Sequence, residues 1–259
     1  MNSATFNLQN NSVWRKVEYK NITVCYLPQI DGGGRYFSQE FIMAIREKIG
    51  RVDSICEFGS GPGFIGFSLL AYGLCNKLCL IDINPLAVKA CKETIRINNL
   101  EKKVKIYKSD VLKNIPKNEK WDLVVSNPPH FNGSLTGNKE DILYIDNDWS
   151  IHKFFYSDIS KHLNSNGSVL FIENSQGSSP SMFTEMIGKG GLFLAETFQY
   201  RPGFFNVLLL NVRVFLQIWK LNKIRYIISL LSRKSILVSN VLTFSKYPYY
   251  FIWSKKLHR

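Results

Sequence analysis

The chain has 259 residues, of which 45% are hydrophobic and 20% charged, a composition that supports a substantial buried core and argues against disorder. No segment offers the roughly 18 uninterrupted apolar residues of a membrane-spanning helix, and the start lacks the basic head and apolar run of a secretion signal. We therefore expect a cytoplasmic protein with one main domain.

The basic residues are unevenly distributed. The net charge is +13, but 11 of the 33 lysines and arginines lie from Arg201 onward, where there is no acidic residue, which leaves 22 basic against 20 acidic residues in the rest of the chain. Segment 201–259 is also apolar and aromatic. Three interpretations of it are open: a lid packed on the domain, a contact for RNA, or a peripheral contact with a membrane.

The cysteines and histidines give no sign of a metal site. The five cysteines include no C-x-x-C pair, and the four histidines have no metal-site spacing. Because the cysteines are odd in number and mostly have apolar neighbours, we predict that they are reduced core residues and that the protein binds no metal.

The N-terminal part predicts a hairpin followed by a helix. Two runs rich in β-branched and aromatic residues, 13–18 and 22–27, have the composition of paired strands. A glycine-rich loop at 31–35 follows them, and segment 31–37 could fold over a cofactor with Arg35 and Tyr36 or be a linker loop. Ser38 is predicted to cap a helix at 39–49, whose apolar residues are spaced for one buried face.

From Asp53 onward, short apolar runs alternate with helical stretches, which is typical of βαβ units and a mainly parallel sheet. The predicted strands are 54–58, 77–83, 104–109, 122–126, 168–173, 192–198 and 249–254. The predicted helices are 63–72, 85–98, 149–163 and 180–189, with a further helical segment after residue 203.

The turn after the first of these strands, E-F-G-S-G-P-G, has the composition of a cofactor cradle. Its glycines, Gly59, Gly61 and Gly63, permit a tight turn and a close approach of ligand to backbone, although an ordinary turn can look the same. Asp82 ends the second strand, 19 residues after Gly63, where a Rossmann-type site needs an acid for the ribose hydroxyls. A nicotinamide cofactor would use the same residues.

Two further acids follow predicted strands. Asp110 comes after the third strand and could bind an adenine amino group, and the alternative is a loop acid or helix cap. Glu173 ends the fifth strand and could accept a hydrogen bond from a substrate, with a capping role as the alternative.

The most specific element is S-N-P-P-H-F at the end of the fourth strand. Two successive prolines lack N–H groups and fix φ, so the backbone after Asn127 presents carbonyl acceptors at a rigid turn beside the side-chain amide. Such a site suits an N–H donor. It has no role in hydride transfer, which disfavours an oxidoreductase.

These motifs, with I-D-I-N-P and S-D-V between them, resemble those of class I S-adenosylmethionine-dependent methyltransferases that carry an Asn-Pro-Pro-aromatic motif. That group includes adenine-N6, guanine-N2 and glutamine-N5 methyltransferases, and the resemblance covers residues 53–200. It implies an α/β, Rossmann-like fold with seven mostly parallel strands, helices on both faces and an antiparallel last strand. The implied segments are 1–50 (hairpin and helix), 51–200 (cofactor-binding domain) and 201–259 (a basic apolar helical insertion and the last strand).

The resemblance also implies residue roles. Glu57 and the three glycines would hold the methionine end of S-adenosylmethionine, Asp82 the ribose and Asp110 the adenine. Asn127 and the carbonyl of Pro128 would hold the acceptor amino group.

The sequence departs from the group at His130, where Tyr, Phe or Trp is usual, and Phe131 follows one place later. Imidazole can stack on a planar substrate or bind a proton near neutral pH. We predict a catalytic role for His130 and substrate contacts from Pro129, Phe131 and Glu173, with a loop histidine held by the backbone as the alternative.

The predicted function is methyl transfer to a nitrogen of an unidentified small-molecule, peptide or RNA acceptor. The alternatives are a methyltransferase-like protein that binds the cofactor without catalysis, or an enzyme acting on RNA or on a membrane-associated acceptor.

Overall fold

The computed structural model describes residues 13–134, 141–199 and 248–257. Its strands are β1 (Arg15–Tyr19), β2 (Ile22–Tyr26), β3 (Ser54–Phe58), β4 (Lys77–Asp82), β5 (Val104–Lys108), β6 (Trp121–Ser126), β7 (Leu163–Asn174), β8 (Leu192–Phe198) and β9 (Tyr249–Lys256). Its α-helices are α1 (Gly34–Lys48), α2 (Phe64–Ala71), α3 (Pro85–Ile97), α4 (Asp141–Tyr144), α5 (Ser150–Ile159) and α6 (Pro180–Lys189).

Seven strands form one sheet in the order β5-β4-β3-β6-β7-β9-β8. Strands β3 to β7 run parallel to one another, and β9 runs antiparallel between β7 and β8. The predicted α/β fold with a seven-stranded, mostly parallel sheet is therefore confirmed. The strand order reverses at β3 and β6, and in such sheets ligands bind at the carboxyl ends of the strands at this position.

Helices cover both faces of the sheet, which explains the continuous apolar runs of its central strands. Ile55 and Leu123 point to one face, where they pack with the apolar residues of α1, α2 and α3. Their neighbours Cys56 and Val124 point to the other face, towards α5 and α6. The alternation along each strand fixes which residues face each helix layer.

The N-terminal hairpin packs on the first of these layers. Strands β1 and β2 pair in antiparallel register, and three hydrogen bonds join β2 to α3 and its C-cap residue Asn98, one of them from Asn98 Nδ2 to the carbonyl of Thr23. The backbone N–H of Thr23 donates to Asn98 Oδ1 and that of Cys25 to Thr94 Oγ1, each at 2.9 Å. The glycine loop and α1 follow directly from this anchored hairpin.

The structure corrects several element boundaries. Helix α1 begins at Gly34 rather than at 39, so Ser38 is not its cap: Gly33 adopts φ +88° at the cap position, and Ser38 Oγ donates to the Arg35 carbonyl. Helix α4 was not predicted. The predicted helical segment after residue 203 lies outside the described residues, and the division into three segments stays a prediction.

All five cysteines are free and buried, as predicted. Among the described residues, no helix is both long and apolar enough to cross a membrane.

Candidate active site

A cavity of about 590 Å³ lies at the carboxyl ends of β3, β4 and β6, within the usual size range of small-molecule sites. Eight of the predicted site residues line it: Glu57, Gly59, Gly61, Asp82, Asp110, Asn127, Pro128 and Pro129. The other four predicted residues, Gly63, His130, Phe131 and Glu173, lie outside this lining. The candidate site is therefore one continuous cavity with a second layer of side chains behind it.

The glycine turn after β3 needs the left-handed backbone that glycine provides. Gly61 has φ +51°, and a Cβ there would lie 3.3 Å from the carbonyl of Ile30. Gly63 has φ +81°, and its Cβ would lie 2.8 Å from the ring of Phe67. Gly61 thus allows the turn to approach Ile30, before α1. Gly63 is the N-cap residue of α2, and its lack of a side chain leaves room for the ring of Phe67.

Glu57 anchors the first turn of α2 while it lines the cavity. Its side chain is buried, and Oε2 accepts a hydrogen bond of 2.7 Å from the backbone N–H of Gly66. Burial raises the pKa of Glu57 to about 8, against the opposing effect of the backbone N–H groups of Gly66 and Ile65. This shift favours the protonated form of the Glu57 carboxyl, which can donate as well as accept a hydrogen bond.

Asp82 fixes the relative position of two turns. Its Oδ2 accepts from the backbone N–H of Gly61 at 2.6 Å and its Oδ1 from that of Asn84 at 2.7 Å, while Asn84 caps α3 through Leu86. Burial raises the pKa of Asp82 above its usual value. A carboxylate has about four acceptor positions, and the backbone N–H groups of Gly61, Asn84 and Ile83 use part of this capacity, so the remainder is available to hydroxyl groups in the cavity.

Asp110 lies at the rim of the cavity. Its side chain is half exposed and pairs with the ammonium group of Lys113. It can accept a further hydrogen bond from a group at the cavity mouth, at a low desolvation cost.

The side-chain amide of Asn127 has one satisfied and one unsatisfied end. Its Nδ2 donates to the carbonyl of Gly32 at 2.9 Å, which fixes the orientation of the amide. Its Oδ1 is buried without a hydrogen-bond partner among the described residues. A buried unpaired acceptor costs about 1–3 kcal/mol, so this oxygen is suited to a ligand that brings an N–H group.

The residues after the two prolines turn away from the cavity. His130 is buried, and its Nδ1 lies 3.3 Å from Oε2 of Glu173. Phe131 forms an isolated parallel bridge with Ile145, and its ring lies against Gly177. Phe131 is thus placed for packing, and the proposed catalytic role of His130 stays a prediction.

Glu173 lies behind the cavity lining. It is fully buried, and its two oxygens face His130 and His152. Its predicted direct contact with a substrate stays a prediction.

Two further side chains lie in this second layer, Asp146 and His152, and neither is among the predicted site residues. His152 Nε2 lies 2.9 Å from Glu173 Oε1, and His152 Nδ1 lies 2.6 Å from Asp146 Oδ2. Burial by itself would lower the pKa of His152, but the two carboxylates outweigh it and raise the pKa to about 9. Neither residue belongs to a recognisable motif, and Asp146 falls between predicted elements.

The fold is that of a class I methyltransferase domain. Residues 28–201 match the methyltransferase small domain family, and the chain belongs to this family.

Individual relatives match shorter parts of the chain. Release factor glutamine methyltransferase of Clostridium acetobutylicum is 40% identical over 77 residues, which are 29% of this chain and 27% of that protein. Ribosomal RNA small subunit methyltransferase C of Actinobacillus pleuropneumoniae is 31% identical over 138 residues, which are 50% of this chain and 40% of that protein. The chain thus spans less than half the length of these relatives.

Among solved structures, that of M. jannaschii TYW2 in complex with AdoMet is similar in fold. The TM-score is 0.51 at 15% sequence identity, and the similarity covers 76% of this chain and 84% of that one.

Proposed function

We propose that this protein transfers a methyl group from S-adenosylmethionine to a nitrogen atom of an amine or amide acceptor. The observation that carries this proposal is Oδ1 of Asn127, a buried acceptor that lacks a hydrogen-bond partner among the described residues and belongs to the cavity lining. An acceptor N–H group would satisfy it.

The residues of the cavity suit the cofactor. Asp82 keeps acceptor positions for the two ribose hydroxyls, and Asp110 at the rim can accept from an adenine amino group. The glycine turn and Glu57 form the wall next to the start of α2, where backbone N–H groups and a partly protonated carboxyl suit the methionine end. When bound, the cofactor supplies an activated methyl group on its sulfonium.

The protein's own contribution is alignment and electrostatic stabilisation. Oδ1 of Asn127 and the carbonyl of Pro128 accept hydrogen bonds from the acceptor nitrogen and orient its lone pair. These bonds strengthen as positive charge develops on the nitrogen, so they stabilise the transition state more than the bound substrate. Enclosure by the cavity walls excludes water from the reacting atoms.

The class of acceptor is the open part of the proposal. The two relatives are named for a glutamine side chain and for ribosomal RNA, and both kinds of acceptor present an N–H group beside a planar system. A glutamine-containing peptide and ribosomal RNA are therefore the first acceptors to test. A lid, RNA or membrane role for segment 201–259 stays a prediction, as does a cytoplasmic location.

The test of the cofactor is a calorimetric titration with S-adenosylmethionine, S-adenosylhomocysteine and NAD. The wild type should bind the first two, and Asp82→Ala should weaken both by about tenfold or more, since two hydroxyl hydrogen bonds to a charged group are lost. Asp53→Ala is the matched control, because Asp53 is exposed at the opposite end of the sheet, where it pairs with Lys77. Binding of NAD in preference to S-adenosylmethionine contradicts the proposal.

The test of catalysis is transfer of a labelled methyl group to the peptide and to the RNA. Transfer to a nitrogen of either one supports the proposed function. Cofactor binding without transfer to either of them favours the alternative of a protein that binds the cofactor without catalysis.

A further inference from the structure

Four titratable side chains form a continuous buried chain behind the turn at 127–129. Asp146, His152, Glu173 and His130 are joined in that order by contacts of 2.6, 2.9 and 3.3 Å. Asp146 and Glu173 are fully buried, and the two histidines are nearly so. We call these four residues the acid–histidine chain.

Both ends of the acid–histidine chain return to the same short segment. At one end is the side chain of His130 itself. At the other end, the backbone N–H of Asp146 donates to the carbonyl of Phe131 at 2.9 Å, and the N–H of Phe131 donates to the carbonyl of Tyr144 at 3.0 Å. The result is a closed loop of hydrogen bonds that contains residues 130 and 131.

The charges in the acid–histidine chain support one another. Each ring nitrogen of His152 faces a carboxylate, so both nitrogens donate and the ring is an imidazolium between Asp146 and Glu173. Glu173 then accepts from His152 with one oxygen and from Nδ1 of His130 with the other, which fixes the tautomer of His130. Asp146 is further held by the backbone N–H groups of Ile151 and His152.

Such an arrangement costs free energy in comparison with an apolar core, since two carboxylates and an imidazolium are removed from water. In return it gives a defined geometry to the segment directly after the two prolines, because the roles of donor and acceptor among these side chains can be assigned in only one way.

The same segment is also covered closely by the backbone of Gly177. A Cβ at Gly177 would lie 2.3 Å from the carbonyl oxygen of His130 and 2.6 Å from the ring of Phe131. The other end of the turn is held by Asn127, whose Nδ2 donates to Gly32. The turn is thus fixed on both sides of the prolines.

We propose that the acid–histidine chain positions the carbonyl of Pro128 and the amide of Asn127 for methyl transfer, with Glu173 and His152 as positioning residues. The proline rings fix φ at 128 and 129, so once Asn127 and His130 are held, few soft torsions remain in the turn. A displacement of about 1 Å in such a turn can slow transfer by about a hundredfold. The link to methyl transfer rests on the proposed function, whereas the positioning itself does not.

The test compares Glu173→Gln with the control Glu185→Gln, which makes the same substitution at an exposed position of α6 that pairs with Lys189. A glutamine at 173 keeps the shape but has one oxygen and one NH₂ group, so it cannot accept from both histidines. Hydrogen–deuterium exchange is measured at the amides of Phe131 and Asp146, with the amide of Gly61 as an internal reference. Ring ¹⁵N shifts report the tautomer of His130.

We expect Glu173→Gln to speed exchange at Phe131 and Asp146 by about tenfold or more, to shift the tautomer of His130 and to leave Gly61 unchanged. The affinity for S-adenosylmethionine should stay within about threefold of the wild type, while kcat falls by about tenfold or more on the peptide or the RNA, whichever the wild type methylates. Glu185→Gln should change none of these quantities.

Unchanged exchange and an unchanged tautomer in Glu173→Gln would overturn the positioning role, even if the wild type is an active methyltransferase. Conversely, if the wild type methylates neither acceptor, the proposed function loses its support, and exchange and tautomer still decide whether the turn is held. Should Glu173→Gln fail to fold, Asp146→Asn tests the chain from its other end and should give the same local change at Phe131.

Discussion

The two halves of the cavity are held by different kinds of contact. In the half formed by β3, β4 and β5, backbone N–H groups hold the acids: Gly66 lies nine residues from Glu57, and Asn84 lies two residues from Asp82. In the half formed by β6 and β7, the contacts join distant segments, since Asn127 binds a carbonyl 95 residues away and His130 a carboxylate 43 residues away. The first half thus relies mainly on backbone N–H groups within short motifs, together with one longer contact from Gly61 to Asp82, whereas the second half relies on contacts between distant segments.

The largest expected effect is the loss of methyl transfer in Asn127→Ala. Asn127 lies in the half formed by β6 and β7, which we call the acceptor half. In the proposed mechanism the variant loses the oxygen that stabilises charge on the acceptor nitrogen, so kcat should fall by at least about tenfold and up to about a thousandfold. The affinity for S-adenosylmethionine should change by less than about threefold, because the proposed cofactor contacts belong to the other half. Single-turnover methyl transfer and calorimetry measure the two quantities separately.

Asn76→Ala is the control for this variant, because Asn76 is exposed near the start of β4 and bonds to Asp53. It should leave both quantities unchanged. Normal turnover in Asn127→Ala would remove this side chain from the mechanism, and an equal loss of cofactor affinity would show that the two halves are not separable.

In the half formed by β3, β4 and β5, which we call the cofactor half, Gly63→Ala should destabilise the fold more than Gly50→Ala does. Both glycines have positive φ, +81° and +86°, so each alanine costs roughly 1–2 kcal/mol in the backbone. A Cβ at Gly63 also lies 2.8 Å from the Phe67 ring and 3.1 Å from Leu80, whereas a Cβ at Gly50 meets nothing within 4 Å. The overlap should add roughly 1–3 kcal/mol at Gly63 alone.

Urea unfolding of the two variants measures this difference in the free energy of unfolding. Equal losses at both positions would mean that the turn after β3 relaxes around a side chain, in which case the glycine motif does not require glycine at 63 for packing.

The difference between the two halves of the cavity also explains which features could be predicted from the sequence. The seven strands, the glycine turn and Asp82 follow from apolar periodicity and from spacing between neighbouring residues, which the sequence displays directly. The start of α1 was misplaced because Ser38 looks like a cap, whereas Gly33 performs the turn through its backbone. A glycine that begins a helix through its backbone conformation has no side chain to mark the position in the sequence.

The acceptor half shows more clearly which contacts cannot be predicted from local sequence. Asn127 was identified because two prolines follow it, but the direction in which His130 points depends on Glu173, which is on another strand. Asp146 and His152 bond to each other locally at the start of α5, but neither residue stands out in the sequence, and His152 meets Glu173 only because α5 lies beside β7. A burial pattern alone could not have distinguished these residues from a solvated acid and a core histidine.

A smaller effect is expected on the pH dependence of stability. The pKa of His152 is raised from 6.5 to about 9, so its contribution is fully present below about pH 6.5 and is lost as the pH rises to about 9. The wild type should therefore lose roughly 2–3 kcal/mol more stability than His152→Gln between pH 6 and pH 9.5. Urea unfolding across this range measures both curves.

Other groups near His152 do not obscure this difference. Burial by itself would raise the pKa of Asp146, but the His152 side chain and the backbone N–H groups of Ile151 and His152 together lower it. Burial raises the pKa values of Tyr156 and Tyr250, the latter to about 12. Glu57 also destabilises the protein as the pH rises, but equally in both proteins. The exposed control Lys153→Gln should show the same dependence of the free energy of unfolding on pH as the wild type. If the wild type and His152→Gln show the same dependence, the imidazolium is not stabilised by its two acids.

The smallest expected effect concerns Asp110 at the cavity rim. If Asp110 accepts a hydrogen bond from the adenine amino group, Asp110→Ala should weaken S-adenosylmethionine binding by about two- to tenfold, the range of a single partly solvated hydrogen bond. Lys113→Ala removes only the exposed partner of Asp110, and such pairs contribute little, so the affinity should change by less than about twofold. Calorimetry on the two variants distinguishes a ligand-binding acid from a loop acid: equal affinities in Asp110→Ala and the wild type would assign Asp110 to the loop and leave Asp82 and the glycine turn as the residues that hold the cofactor.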